Sequence, residues 1–162
     1  LGTSELLLTL PFKEAHVVIG KFLGTFLLLL MMIGLTLPVP LTVRILGDFE
    51  TGQILGEYFG LIFLGAAGIA IGQFISSLTS NQIVAFIAGM LVLLFMTLVN
   101  QINVILNLPA AFAAVLNYLS LDYHYQSFIK GILDSRDLLY FILIAVLFNY
   151  LNVKVLIFRK WS

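Results

Sequence analysis

Four stretches of this chain are too apolar to fold in water and long enough to cross a lipid bilayer. They are Phe22 to Leu46, Tyr58 to Ile75, Ile83 to Leu106 and Leu138 to Ile157. A bilayer's hydrocarbon layer is about 30 Å thick, which a helix spans with about 20 residues. The middle of the first stretch, FLGTFLLLLMMIGL, offers no polar face at all. Lipid cannot hydrogen-bond a peptide group, so each stretch must satisfy its own backbone as a helix. The expected fold class is all-α, a polytopic membrane protein with four transmembrane helices. Composition agrees: 61% of the 162 residues are hydrophobic and 10% are charged, where soluble domains carry about 25% charged residues.

Several functions are disfavoured by what is missing. Net charge is zero, which gives no footprint for nucleic acid. Cysteine is absent, which excludes a disulfide framework, a thiol nucleophile and cysteine metal sites within these residues. There is no GxxxxGK[ST], no HExxH and no GxSxG. His16 and His124 are far apart in sequence and are expected to be surface histidines, not metal ligands. No Asp, Glu, Lys or Arg lies near the middle of a span, where an ion-coupled carrier or a membrane enzyme usually needs one. No catalytic residue, cofactor site or metal site is therefore expected on this chain, and it is not expected to be an enzyme.

Residues 1–20 precede the first span. Thr3 or Ser4 can cap a helix that opens with Glu5, and Leu6, Leu7, Leu8 and Leu10 give it apolar surface before Pro11 stops it. A second short segment, Lys13 to Val18, is expected to turn Lys13, Glu14 and His16 to water. Taken alone, the region fits an interfacial anchor or a docking helix for a cytoplasmic subunit. Pro38 and Pro40 should loosen the far end of the first span, and the glycine-rich loop Gly47 to Glu57 should follow it. In the second span Gly65, Gly68, Gly72 and Ser76 form a small-residue stripe, favoured as a packing face over a substrate-lining one. Asn100, Asn103 and Asn107 share a face of the third span; a hydrated helix end and a pathway lining both fit.

Residues 108–137 are too polar and too broken to span. Pro109 should start a helix at Ala110 to Leu119, with a turn near Ser120 to Asp122 and a second helix after it. Tyr125, Phe128, Ile129, Ile132 and Leu133 then fall on one face, with His124, Gln126, Ser127, Lys130 and Asp134 elsewhere. Two amphipathic helices that dip into one leaflet and return fit this pattern. Asp134 or Ser135 can cap the last span, whose Asn149 and Asn152 share a face suited to bonding neighbouring helices. Four spans put both visible ends on one side, which holds five basic residues (Lys13, Lys21, Lys154, Arg159, Lys160) against three (Arg44, Lys130, Arg136). The positive-inside rule predicts both ends cytoplasmic and the hairpin outside.

The opening LGTSELLLTLPFKEAHVVIGKFLG resembles the segment after the second span of type-2 (ABC-2) ABC transporter permeases. The matching residues are Gly2, Thr3, Glu5, Leu6, Leu7, Leu8, Thr9 and Pro11, then Gly20, Lys21 and Phe22, with Ser4 where Leu is common. GQFISSLTSNQIVAF (72–86) and FIKGILDSRD (128–137) continue the likeness over nearly the whole chain. Within the family the chain looks closest to gliding-motility-associated and copper-processing permeases. The resemblance implies a six-helix permease of the bacterial inner membrane, of which these would be the last four spans; a start at Leu and not Met accords with a missing N-terminal part. It implies partnership with an ABC ATP-binding subunit that carries ATP and Mg, and with a second permease copy. It also implies a cytoplasmic coupling helix at Gly2, Thr3, Glu5, Leu6, Leu7, Leu8, Leu10 and Pro11, and an outer re-entrant hairpin. The function implied is the permease subunit of an ATP-driven exporter. A structural anchor in a motility or maturation complex, or an uncoupled carrier or channel, would fit the same apolar chain.

Overall fold

The computed structural model describes residues 14–47, 50–106 and 109–161. Among them the chain is helical, with no strand. In order come α1 (Glu14–Thr36), α2 (Pro38–Leu46), α3 (Thr51–Leu78), α4 (Gln82–Leu106), α5 (Ala110–Leu119), α6 (Leu121–Ile129) and α7 (Ser135–Trp161). Four stretches are long and apolar enough to cross a membrane: α1 with α2, then α3, α4 and α7. Residues such as Leu27, Met31 and Phe86 stay more than half exposed on the bundle surface, as lipid-facing side chains do.

The first of these stretches is longer at its start than its apolar core suggests. Helix α1 begins at Glu14, so Glu14 to Val18 is its first turn and no separate segment; His16 is exposed and Val18 is buried. Pro38 has no N–H to donate and interrupts the ladder at Leu37, whose own N–H shortens its reach to Gly34. Leu37 nevertheless stays in the right-handed helical region, so the chain is kinked and not broken. From Glu14 to Leu46 it covers 33 residues, about 50 Å of helix, well beyond one hydrocarbon layer.

Helix α3 is the centre of the bundle, packing against α1, α4, α6 and α7. It is apolar all round, as a helix enclosed by others should be. Ala67, Ile71 and Ile75 from α3, Leu121 and Phe128 from α6, and Phe141 from α7 form the buried core. Phe74 and Phe148 meet edge to face at 5.5 Å between α3 and α7. The turn to α4 is set by Asn81, whose Oδ1 accepts from the backbone N–H of Ile83 at 3.0 Å, an N-cap that starts the helix at Gln82.

The glycines between residues 47 and 57 do not make the loop expected of them. Helix α3 already begins at Thr51 and takes in Gly52, Gly56 and Glu57. A Cβ on Gly56 would collide with the Phe128 carbonyl oxygen and lie 2.9 Å from Gly131 Cα. On Gly60 it would lie 2.6 Å from Phe128 Cβ and 2.8 Å from Tyr125 Cε2. These glycines let two backbones touch, and GEYFG is a GxxxG pair inside a helix.

Candidate functional site in the helical hairpin and the central span

The hairpin α5–α6 is built by short-range chemistry. Pro109 accepts the first helical N–H groups of α5, from Phe112 and Ala113. Ser120 closes α5 and caps α6, its Oγ accepting from the Tyr123 N–H at 3.3 Å. The same hydroxyl donates to the Thr97 carbonyl of α4 at 3.4 Å, pinning the turn to the bundle. At the end of α6 the N–H groups of Gly131 and Ile132 return to the carbonyls of Phe128 and Ser127, at 2.9 and 3.0 Å. Gly131 has φ +71°, the left-handed residue that this Schellman closure needs. Asp134 then caps α7, its Oδ1 accepting from the Arg136 N–H at 2.9 Å.

The buried face of α6 differs from the one its apolar residues suggest. Leu121, His124 and Phe128 are buried and Tyr125 is half-buried, while Ile132 and Leu133 lie past Gly131 and are exposed. His124, expected at the surface, is 4% exposed and Asp137 is 7% exposed. His124 Nδ1 lies 2.7 Å from Asp137 Oδ1, and Nε2 lies 3.3 Å from the Tyr118 carbonyl. The Tyr140 ring stacks on the imidazole at 3.8 Å, and its hydroxyl donates to the Leu119 carbonyl at 2.9 Å. The apolar flanks of the sequence pattern hide this face because the histidine is paired, and pairing removes the cost of burying it. Nearby, burial and then the Glu57 carboxylate push the Tyr125 phenol above its ordinary pKa.

The small-residue stripe of α3 divides between two environments. A Cβ on Gly65 would collide with Leu29 of α1, so Gly65 is a packing contact. Gly68 has only Leu93 at 4.0 Å, and nothing lies within 4 Å of a Cβ on Gly72. Gly72 and Ser76 instead line a groove of about 660 Å³ between α3 and α4, with Gly89 and Phe86 on the opposite wall. Asn100 is half-buried; the side chain of Asn103 and the whole of Asn107 lie outside the described residues. So do Gly2, Thr3, Glu5, Leu6, Leu7, Leu8, Leu10 and Pro11.

Two polar side chains inside the bundle stand out. Gln73 is 8% exposed, and neither its Nε2 nor its Oε1 has a hydrogen-bond partner among the described residues. Asn149 Nδ2 donates to Ala145 of its own helix at 2.9 Å, and its Oδ1 is buried without a partner among the described residues. Among the described residues no three His, Cys, Asp or Glu side chains come together as a metal site.

Three apolar spans packed on a glycine-rich fourth, with a short helical pair folded back against one end, define a polytopic α-helical membrane protein. The sequence profile of the family described as "ABC-2 family transporter protein" matches residues 1–158. The chain belongs to that family: it is a membrane permease component of an ABC transporter, a class that works with an ABC ATP-binding subunit. No curated protein and no solved structure matches it.

Proposed function

We propose that this chain is the membrane-spanning subunit of an ATP-driven exporter in a bacterial inner membrane. The family match over residues 1–158 carries this reading, because it includes the Gly2–Pro11 stretch together with all four spans. Residues 1–20 form the cytoplasmic coupling region, in which Leu6, Leu7 and Leu10 enter a groove of the ATP-binding subunit and Glu5 meets a basic residue there. ATP and Mg are bound by that partner, and the work done on this chain is mechanical, not chemical. A second permease copy completes the transporter, both visible ends face the cytoplasm, and the α5–α6 hairpin lies at the outer face. Within the family the reading places the chain nearest the gliding-motility-associated and copper-processing permeases.

The test is reconstitution of the full-length permease with its ATP-binding subunit in proteoliposomes. ATP hydrolysis by the co-purified complex, and loss of co-purification on Glu5→Arg with the permease still inserted, is the expected result. Intact co-purification and hydrolysis with Glu5→Arg would remove Glu5 from coupling, and no association at all would overturn the reading.

A further inference from the structure

The hairpin and the last span are covalently joined only through 130–134, an exposed link that begins beside the left-handed Gly131. The link is short, and the seating of α5–α6 on α7 rests on side-chain contacts made across it. Apart from the packing of Phe128 on Phe141 in the core, the polar contacts converge on one place. From the hairpin come His124 and the carbonyls of Tyr118 and Leu119; from α7 come Asp137 and Tyr140.

We infer that His124, Asp137 and Tyr140 form a latch that holds the re-entrant hairpin closed against the last span. Both ring nitrogens of His124 face acceptors, the Asp137 carboxylate and the Tyr118 carbonyl. Both bonds form together only when the pair carries two protons, either one on each ring nitrogen or one on Nε2 and one on the carboxylate. The pair is then neutral overall, which suits a site where both residues are buried. The Tyr140 ring covers the imidazole face at 3.8 Å, and Tyr123 and Tyr118 flank it at 5.5 and 6.0 Å. Removing either member leaves the other polar and buried without its partner, so the hairpin swings out to hydrate it. Three residues before His124 on the buried face of α6 lies Leu121, 1% exposed and part of the core. Its solvent access therefore reports whether the latch is shut. The inference concerns the hairpin alone and stands apart from the exporter reading.

The experiment labels a Leu121→Cys variant of the full-length protein with N-ethylmaleimide in membranes, where the described chain offers no other cysteine. In this parent the thiol is expected to react slowly. Asp137→Ala or His124→Ala should speed labelling roughly tenfold or more, the loss of a charge-assisted bond. Asp137→Asn should stay near the parent rate, because its amide can donate to Nδ1 while Nε2–H remains on Tyr118. Tyr140→Phe keeps the stacked ring, loses only the bond to Leu119 and leaves the core intact, so a rise of about threefold is expected. Equal rates in the parent, Asp137→Ala and Tyr140→Phe would overturn the latch, and so would a rate for Asp137→Asn that matches Asp137→Ala.

Discussion

Adding one methyl group at three glycines of α3 should give three different results, and the structure ranks them. The helix-propensity gain from Gly→Ala is the same at each, about 1 kcal/mol, so the differences report packing. At Gly56 the methyl meets backbone: the Phe128 carbonyl and Gly131 Cα, the latter at 2.9 Å. Carbon atoms rest about 3.5–4.0 Å apart, so α6 must move by most of an ångström. Backbone cannot rotate away, and the cost sits at the upper end of the roughly 1–3 kcal/mol for overpacking. At Gly60 the nearest atoms are Phe128 Cβ at 2.6 Å and Tyr125 Cε2 at 2.8 Å; the tyrosine ring can yield and the Cβ cannot. At Gly72 nothing lies within 4 Å, and the methyl enters the groove between α3 and α4. Net of the propensity gain, Gly56→Ala should lose about 2 kcal/mol and Gly60→Ala about 1, while Gly72→Ala keeps the gain of about 1. For a chain of this size each kcal/mol moves the midpoint by about 2–4 °C. Thermal unfolding of the full-length protein in detergent, followed by size-exclusion retention, reads these shifts. If Gly56→Ala melted with the wild type, or Gly72→Ala fell as far as Gly56→Ala, the close approach of α6 to α3 would be refuted.

Other outcomes follow from single residues. Gln73→Leu removes an amide whose two polar atoms are buried without partners among the described residues, and should leave the protein as stable or more stable by about 1 kcal/mol in the same melt; a clear loss would mean that Gln73 is engaged by a group outside the described residues. Asp134→Ala removes the acceptor for the Arg136 N–H and should cost about 1 kcal/mol, with most of it regained in Asp134→Ser. For orientation, a membrane-impermeant maleimide on intact cells should label Ile132→Cys in the hairpin link and spare Ser80→Cys in the α3–α4 turn, both of which are exposed positions. The reverse pattern would invert the chain in the membrane.

The spans were legible because lipid imposes a length and a composition that no other environment tolerates, and the run from Gln82 to Leu106 announces both. The hairpin was legible from Pro109 and from Ser120, which act on the chain within a turn of themselves. What the sequence hid depends on neighbours. Gly52 and Gly56 sit among Asp48, Glu50 and Glu57, a setting that reads as loop, yet both are helical, and Gly56 lies directly against Phe128 and Gly131. The GxxxG spacing of Gly56 and Gly60 was the available signal, and the more apolar Gly68–Gly72 pair drew attention from it. His124 reads as a surface residue because it is polar, whereas its position three residues after Leu121 and four before Phe128 puts it on the buried stripe. Only the arrival of Asp137 from the last span makes that burial affordable, and no local pattern pairs residues 124 and 137. Asn149 turned to its own helix for the same reason in reverse: its nearest acceptor is the Ala145 carbonyl.

In the proposed function, residues 1–20 join this chain to an ATP-binding subunit. A photo-crosslinking residue in place of Leu7, in the full-length protein in native membranes, tests it most directly when the trapped partner is identified by mass spectrometry. The expected adduct holds a P-loop ATPase and is lost on Glu5→Arg. An adduct holding only lipid or another membrane protein would contradict it.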